Sequence, residues 1–340
     1  MPTKKWILPN GIEDILPEQA YWLELKRREV IETFLSYGYG LVVPPIIEYH
    51  DSLLSNSSDD LDLQTFKLID QDTGKQLGIR ADITSQISRI YSTYCNPKEI
   101  NRYCYFDHVV RTNNRDSKSS RLPIQAGAEL IGSNNIRDDA EIINLMLDIV
   151  KIFSKKKIYL DLGHVGIFKK LTTFANLKKD DEKKIKELIK SKSSSEIKKF
   201  MNSLKVDNKL RECICNFPKM HGSINNILDN VIKFKEFDAR IENDIKYMLD
   251  LCNLINKNHD DVEIKYDFCE LPGFDYENDI LFTVYIENDS KEVAIGGKYD
   301  FIDDVVSGIG FSIDVRYLLK YQNSDNLKRK SGKWFVEGES

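Results

Sequence analysis

The residues with the clearest capacity for chemistry lie on one short segment, residues 122–132, which has the pattern of a strand. Because side chains on a strand alternate between two faces, Gln125, Gly127 and Glu129 share one face, and the opposite face is apolar. An amide and a carboxylate on either side of a glycine would hold a small polar ligand, with Glu129 accepting hydrogen bonds from a cationic or N–H group. The alternative is a strand whose polar face meets solvent, and the pattern alone does not decide between them.

A second candidate lies at residues 80–84, where a predicted strand gives way to a predicted helix over residues 84–94. In the structural interpretation, Asp82 or Thr84 is the N-cap of that helix, because short polar side chains accept hydrogen bonds from the first free backbone N–H groups. In the functional interpretation, Asp82 pairs with the ammonium group of a ligand. Such a charge-assisted contact is worth about 1.5 to 3 kcal/mol.

Other positions give weaker signals. Arg111 ends an apolar strand, and the polar, basic loop after it either closes over an anionic group or is simply exposed. Gly296 and Gly297 follow a strand, where the backbone turns tightly or approaches a ligand closely. His164, at a strand end, is interpreted as a satisfied structural residue. The sequence contains no phosphate-loop, dinucleotide-binding, serine-hydrolase or zinc-protease motif.

Length and composition describe an ordinary globular protein. The 340 residues correspond to roughly two domains of about 150 residues. The net charge of −5 argues against a protein whose main task is to neutralise a nucleic-acid backbone. No apolar run reaches the roughly 20 residues that span a bilayer, and the N-terminus lacks the pattern of a secretory signal, so we expect a cytoplasmic protein that binds no membrane.

Cysteine usage agrees with a reducing compartment. Six cysteines are scattered along a chain much larger than a disulfide-stapled domain, so reduced thiols are expected. Only Cys213 and Cys215 form a close pair. With His221 as the single nearby further ligand, a zinc site is disfavoured, and we predict neither a metal nor a cofactor.

The pattern of elements predicts an α+β fold with a mostly antiparallel sheet that carries helices. An amphipathic helix over residues 19–37 and a hairpin over residues 65–80 begin the chain. Strand signals disappear between residues 166 and 258, where lysine, glutamate and aspartate alternate with isoleucine and leucine. We therefore predict a core over residues 1–165 and 259–321, a helical insertion over residues 166–258 and a polar tail over residues 322–340.

Six segments, in this order and spacing, resemble the catalytic core of histidyl-tRNA synthetase, a class II aminoacyl-tRNA synthetase with an antiparallel sheet flanked by helices. The segments are residues 78–84 (R-P-E-G-T in the synthetase), 110–113 (F-R-x-E of motif 2), 121–129 (R-x-x-H-Q-x-x-x-E), 272–276 (R-G-L-D-Y-Y), 296–300 (G-G-R-Y-D) and 310–313 (the start of motif 3).

The departures from the synthetase pattern concern adenylation. Pro272 replaces an arginine, Tyr317 stands where the motif 3 arginine is expected with Arg316 one place away, and Asn113 replaces the motif 2 glutamate. Activating an amino acid with ATP needs cations on the triphosphate. The residues after motif 3 are also too few for an anticodon-binding domain. The chain is therefore more similar to the ATP phosphoribosyltransferase regulatory subunits, synthetase paralogues that residues 61–68 and 161–168 match closely.

This resemblance implies a histidine pocket without catalysis. Asp82 and Thr84 would hold the amino end of the ligand, Gln125 and Glu129 would contact it from the sheet, and Tyr276 would lie near the imidazole. The predicted histidine-binding set also includes one arginine and three ligand-approach glycines: Arg111, Gly127, Gly296 and Gly297.

The same resemblance implies partners. The chain would dimerise through its class II core and assemble with a short catalytic ATP phosphoribosyltransferase subunit into a hetero-octamer, in which L-histidine acts as feedback effector in the first step of histidine biosynthesis. The alternative is a histidine-activating synthetase-like enzyme that acts on a non-tRNA acceptor. A third interpretation, an RNA-binding module, is disfavoured by the acidic net charge.

Overall fold

The computed structural model describes residues 7–54, 59–96, 99–113, 120–269, 277–301, 306–321, 327–330 and 333–336. The helices are α1 (Pro17–Ser36), α2 (His50–Leu54), α3 (Asp59–Gln64), α4 (Thr84–Tyr94), α5 (Ile136–Phe153), α6 (Val165–Phe174), α7 (Lys179–Lys190), α8 (Ser194–Ser203), α9 (Asn208–Asn216), α10 (Ile227–Val231), α11 (Arg240–Asn256) and α12 (Val315–Leu318). The strands are β1 (Gly40–Leu41), β2 (Ile47–Tyr49), β3 (Phe66–Ile69), β4 (Gln76–Ile79), β5 (Asn101–His108), β6 (Ile124–Ile131), β7 (Ile158–His164), β8 (His221–Ser223), β9 (Glu263–Asp267), β10 (Glu277–Ile286), β11 (Ala294–Phe301), β12 (Val306–Asp314), β13 (Leu327–Lys330) and β14 (Lys333–Val336).

The chain divides into two compact units. The first consists of Met1–Gly132, Leu145–Lys155 and Gly310–Ser340, and the second consists of Ser133–Asn144 and Lys156–Ile309. Each unit is therefore built from segments that are distant in sequence. The helix α5 and the strand β12 each begin in residues of the second unit and end in residues of the first.

The sheet of the first unit is centred on β5 and β6. These strands pair antiparallel along their whole length, from Asn101 opposite Ile131 to His108 opposite Ile124. The short strand β1 pairs parallel with β5, and the portion of β12 from Gly310 onward lies beside β6. The strand β6 has a neighbour on both edges, and all its residues are buried, so both of its faces are covered.

A separate three-stranded antiparallel sheet, in the order β2-β4-β3, lies beside the first helices of the same unit. The turn between β3 and β4 closes because the backbone N–H of Gly74 donates to the carbonyl of Asp70 over 2.8 Å. Gly74 has a φ of 69°, a left-handed conformation that glycine adopts without steric cost. The next helix, α4, buries Ile87 and Tyr91, which are four residues apart and so lie on one face.

The second unit combines the strands β7 to β11 with the helices α6 to α11. Its strands follow the order β11-β10-β7-β9-β8; β7 pairs antiparallel with β10 and parallel with β9. An aromatic cluster joins the helices to the strands, because the ring of Phe217 lies 5.8 Å from that of Phe168 in α6 and 6.2 Å from that of Phe268, which follows β9. The helical segment therefore shares a core with the strands.

The predicted α+β fold with a mostly antiparallel sheet is confirmed, with parallel pairs at β1–β5 and β7–β9. The predicted helical insertion is helical from α6 to α11, but the three-residue strand β8 interrupts it. It also belongs to one compact unit with β7 and β9 to β11. The predicted polar tail contains an antiparallel strand pair, β13 and β14.

Candidate functional site

The polar face of β6 lies inside the first unit. Gln125 is 4% exposed and Glu129 is 1% exposed, so the interpretation that this face meets solvent is wrong. Burying an amide and a carboxylate costs free energy unless their polar atoms find partners. Those partners are Asp82, on the loop between β4 and α4, and Thr84, the first residue of α4.

Asp82 is tied to Gln125 and does not cap the helix. The helix α4 begins at Thr84, and its N-cap residue, Ile83, makes no side-chain capping bond. The amide Nε2 of Gln125 donates to Oδ1 of Asp82 over 2.7 Å. The backbone N–H of Ile83 is directed to both side chains, at 2.8 Å from Asp82 Oδ1 and 3.2 Å from Gln125 Oε1. The N-cap interpretation is therefore wrong, and this triangle fixes which way the amide points.

Thr84 and Glu129 form a second pair beside the first. The hydroxyl of Thr84 donates to Oε1 of Glu129 over 2.9 Å and lies 3.5 Å from the hydroxyl of Tyr105. The other carboxylate oxygen of Glu129 occupies space beside Gly310 of β12, where a methyl group would overlap with it. Gly310 is therefore required for the position of the Glu129 carboxylate.

The space beside Gly127 is filled by the protein itself. We predicted that Gly127 leaves room for a ligand, but a methyl group there would overlap with the ring and hydroxyl of Tyr105 and with the carbonyl of Phe311. Tyr105 is the cross-strand partner of Gly127 in β5 and is fully buried, so its side chain takes the space above the glycine. Tyr105 was not among the predicted site residues; an aromatic residue placed opposite a glycine by the β5–β6 register was the available signal.

Arg111 joins the same region. It is buried, and its Nε donates to the carbonyl of Ala81 over 3.3 Å, next to Asp82 in the chain. Its backbone N–H donates to the carbonyl of Arg121 over 2.9 Å, and Nε of Arg121 donates to the carbonyl of Arg111 over 3.1 Å. Arg111 is thus held against the loop that carries Asp82, while residues 114–119 of the predicted basic arm lie outside the described residues.

The remaining predicted site residues belong to the second unit. Gly296 and Gly297 lie within β11, opposite Phe282 and Leu281 of β10. They are strand positions and not a turn after a strand. Tyr276 lies outside the described residues. The first unit therefore brings together Asp82, Thr84, Gln125, Glu129 and Arg111, and we name these five residues the polar cluster.

A buried ionic cluster in the second unit was not predicted. Asp139 of α5 is fully buried; its carboxylate lies 3.1 Å from Nζ of Lys298 in β11 and accepts a short hydrogen bond from the hydroxyl of Tyr247 in α11. Burial raises the pKa of Asp139, and the ammonium of Lys298 opposes that shift. Burial and the neighbouring carboxylate raise the pKa of Tyr247 as well. This cluster contains a lysine from the segment that resembles G-G-R-Y-D.

His164 lies at the end of β7, with its Nε2 3.5 Å from Asp279 and 4.0 Å from Asp244. Burial lowers the pKa of His164, and the two carboxylates oppose that shift. Its Nδ1 is buried without a hydrogen-bond partner, so the expectation of a fully satisfied strand-end histidine is wrong for this atom.

The family model described as histidyl-tRNA synthetase matches residues 11–318 of the chain. Among curated proteins, the chain is 34% identical to the ATP phosphoribosyltransferase regulatory subunit of Teredinibacter turnerae, over 96% of this chain and 84% of that protein. It is 37% identical to the protein of the same name from Methylococcus capsulatus, over 93% of this chain and 79% of that protein. The chain belongs to the family of ATP phosphoribosyltransferase regulatory subunits.

Solved structures agree with this family in fold. An ATP phosphoribosyltransferase regulatory subunit/histidyl-tRNA synthetase from Bacillus halodurans superposes with a TM-score of 0.82 at 21% identity, covering 95% of this chain and 84% of that chain. A chain of the ATP phosphoribosyl transferase (HisG:HisZ) complex from Thermotoga maritima superposes with a TM-score of 0.67 at 20% identity, covering 88% and 98%. The regulatory-subunit family thus has the class II synthetase-like fold that we predicted.

The described part of the chain contains neither a metal-binding cluster nor a membrane-spanning helix. No group of three or more histidine, cysteine, aspartate or glutamate side chains there is arranged to hold a metal ion. No helix in the described ranges combines the length and the apolar character needed to cross a membrane. The cysteines, all of which are described, form no disulfide.

Proposed function

We propose that this chain is the non-catalytic regulatory subunit of an ATP phosphoribosyltransferase and that it binds L-histidine at the polar cluster. The observation that carries the proposal is that Glu129 and Gln125, both buried on the sheet, are hydrogen-bonded to Thr84 at the start of α4 and to Asp82 on the loop before it. A buried carboxylate that accepts a hydrogen bond from a hydroxyl can accept another from a positively charged or N–H-bearing ligand.

Each part of histidine has a suitable partner in this arrangement. The α-ammonium group would be held by the Asp82 carboxylate and the Thr84 hydroxyl, both of which are half-buried. The imidazole N–H would donate to Glu129, with Tyr276 beside the ring. Arg111, next to the loop, supplies a cation for the ligand carboxylate.

The contacts of Arg316 agree with a loss of adenylation. Its Nη2 donates to the carbonyl of Glu13 over 2.9 Å, and its Nη1 lies 3.4 Å from the carbonyl of Leu122. This guanidinium therefore holds two backbone segments together. Tyr317, at the position where the motif 3 arginine is expected, has no cation to place on a triphosphate.

We further propose that two copies of the chain pair through the first unit and join a short catalytic subunit in a cytoplasmic hetero-octamer. The similar chain from Thermotoga maritima belongs to a HisG:HisZ complex, which supports a partner of this kind. A segment near β1 and β2 exposes several large apolar side chains, a feature typical of subunit interfaces. They are Leu41, Val43, Ile46, Ile47 and Tyr49.

The decisive experiment mixes the purified chain with a short catalytic subunit and measures ATP phosphoribosyltransferase activity with and without L-histidine. We expect the catalytic subunit to be activated by the chain and inhibited by histidine. In calorimetry, the chain should bind histidine, and the Glu129→Gln variant should bind it more weakly, by about 1.5 to 3 kcal/mol. Glu24→Gln, which changes a half-exposed glutamate on α1, is the matched control.

Two results would overturn the proposal. One is unchanged activity of the catalytic subunit in the presence of this chain. The other is inhibition by histidine that Glu129→Gln does not weaken. Histidine-dependent ATP–pyrophosphate exchange by the purified chain would instead support the alternative, an enzyme that activates histidine for a non-tRNA acceptor.

A further inference from the structure

Arg80 is the last residue before the loop that carries Asp82, and it is only 1% exposed. A guanidinium is buried at acceptable cost only when its donors are paired. Its Nη2 lies 2.8 Å from Oδ2 of Asp107, and its Nε donates to the carbonyl of His108 over 2.8 Å. Its Nη1 donates to the carbonyl of Pro44 over 2.7 Å. The three nitrogens thus bond acceptors on two different segments of the chain.

The backbone of Arg80 is held as closely as its side chain. Its N–H donates to the carbonyl of Ile46 over 3.0 Å, and its own carbonyl accepts from the N–H of Val110 over 2.9 Å. Only Ala81 separates Arg80 from Asp82. The next carbonyl, that of Ala81, accepts the bond from Arg111. The start of the loop is therefore fixed, and the position of Asp82 depends on it.

A second residue extends this anchoring toward the helix. Oε1 of Gln86 lies 3.4 Å from Nη1 of Arg80, and Nε2 of Gln86 donates to the carbonyl of Pro45 and to the carboxylate of Glu48. The loop is thus connected at both ends, by Arg80 and by α4, to residues 44–48. These residues adjoin the exposed apolar segment, in which Val43 is 74% exposed.

Asp107 connects the same guanidinium to a surface groove. The groove has a volume of about 280 Å³ and includes Val43, Phe106, Asp107 and Arg27 in its walls. Although burial acts in the opposite direction, the hydrogen bond from Arg80 holds the pKa of Asp107 below its ordinary value, so this carboxylate stays charged. Arg80 therefore lies between a surface feature and the polar cluster.

We propose that Arg80 is a positioning residue for ligand recognition: its guanidinium fork holds the loop so that the Asp82 carboxylate faces the α-ammonium group of the ligand. This proposal rests on the histidine site proposed above and adds the residue on which its selectivity for an amino group depends. Lysine would keep the charge of Arg80, but a single ammonium cannot bond three acceptors in the fixed geometry of a guanidinium.

The test compares two ligands on the full chain by calorimetry. L-Histidine carries the α-ammonium group, and imidazolepropionate has the same ring and carboxylate without it. For Arg80→Lys we expect histidine affinity to fall by about tenfold or more, because a misplaced supporting group weakens a site by this order. The affinity for imidazolepropionate should change by less than about twofold, since that ligand makes no use of Asp82.

The matched control is Arg28→Lys, which changes an arginine on α1 that is 68% exposed and paired with Glu24. We expect no change for either ligand. Thermal unfolding of each variant without ligand measures any general loss of stability. A merely structural role for Arg80 would weaken both ligands equally, and that result would overturn the proposal, as would an unchanged histidine affinity.

If Arg80→Lys does not fold, Asp107→Asn decides the question, because it keeps the bonds of Arg80 to the Pro44 and His108 carbonyls. We then expect a selective loss of histidine affinity of about threefold. Equal affinities of Asp107→Asn and the unaltered chain for histidine would reject the proposal. Failure of the unaltered chain to bind either ligand would instead reject the proposed histidine site itself.

Discussion

The two units of the chain each bury a carboxylate at a sheet, and they stabilise it in different ways. In the first unit, Glu129 accepts a hydrogen bond from the hydroxyl of Thr84. In the second unit, Asp139 accepts from the hydroxyl of Tyr247 and also lies 3.1 Å from the ammonium of Lys298. In the polar cluster, the described side-chain contacts of Glu129 and Gln125 lead to Thr84 and Asp82, whereas the carboxylate of the ionic cluster lies directly beside a lysine.

This difference bears on which of the two clusters is suited to bind a cationic ligand. A buried carboxylate beside a lysine is already neutralised, so a cationic ligand would gain little there. In the proposed histidine site, Glu129 accepts a hydrogen bond from the Thr84 hydroxyl and would accept another from an N–H group of the ligand. This contrast supports the proposed ligand binding at the polar cluster and a stabilising role for the ionic cluster.

The largest expected effect is on stability and comes from removing the lysine of the ionic cluster, Lys298. Lys298→Met should lower the free energy of unfolding by about 3 to 5 kcal/mol, because it leaves the carboxyl group of Asp139 buried without its cationic partner. Urea denaturation followed by circular dichroism measures this change. The control is Lys157→Met, which removes an exposed lysine paired with Glu263 and should leave the free energy of unfolding nearly unchanged. Equal losses for the two variants would contradict a structural role for the ionic cluster.

The corresponding change in the first unit should affect binding more than stability. Glu129→Gln keeps the shape of the side chain and removes the charge, so we expect it to cost about 1.5 to 3 kcal/mol of histidine-binding free energy. The free energy of unfolding should change less than in Lys298→Met, because the amide oxygen of glutamine can still accept the hydrogen bond from Thr84. Calorimetry and urea denaturation of the same sample measure the two quantities. A loss of stability as large as that of Lys298→Met would remove the distinction between the clusters.

Crowding the carboxylate of Glu129 without changing its charge should have an intermediate effect. In Gly310→Ala, the new methyl group overlaps with this carboxylate and approaches the carbonyl of Ala128 to 2.8 Å. We expect a loss of about 1 to 3 kcal/mol in stability, accompanied by weaker histidine binding. Gly40→Ala is the control, since its methyl group would meet only a carbonyl oxygen at 3.7 Å. Histidine binding unaffected by Gly310→Ala would show that the Glu129 carboxylate need not occupy its present position.

The smallest expected effect is a pH dependence in the second unit. The pKa of His164 in the folded chain lies below its ordinary value of 6.5, with burial as the main cause, so the unfolded chain binds more protons. The stabilising contribution of neutral His164 is present above pH 6.5 and is lost as the pH falls toward the lower folded pKa. Each pKa unit of difference between the folded and the unfolded chain contributes about 1.4 kcal/mol to the free energy of unfolding. Urea denaturation between pH 7.5 and about 5.5 should show that the free energy of unfolding depends less on pH in His164→Gln than in the unaltered chain. Identical slopes against pH for the two proteins would contradict a lowered pKa of His164.

Local patterns predicted the elements that position the site. The helix predicted over residues 84–94 and the polar strand within residues 122–132 correspond to α4 and β6, because periodicity and alternation are properties of neighbouring residues. The resemblance to the synthetase motifs then predicted that the loop with Asp82 and the strand β6 contribute to one site. Local patterns could not show that Tyr105 fills the space at Gly127, since this depends on the register between two strands. The contact of Asp139 with Lys298 joins residues 159 positions apart and leaves no trace in either local segment.

The pairing of β6 with the final part of β12 has a consequence for biosynthesis. Roughly 180 residues separate Ile131 from Gly310, so the second edge of β6 has no native partner until most of the chain has left the ribosome. At a translation rate of about 5 to 20 residues per second, this interval lasts about 10 to 40 s. An unpaired edge on an apolar strand is a template for wrong pairing. The edge of β6 is therefore open to wrong pairing for a period set by the number of residues between the two strands.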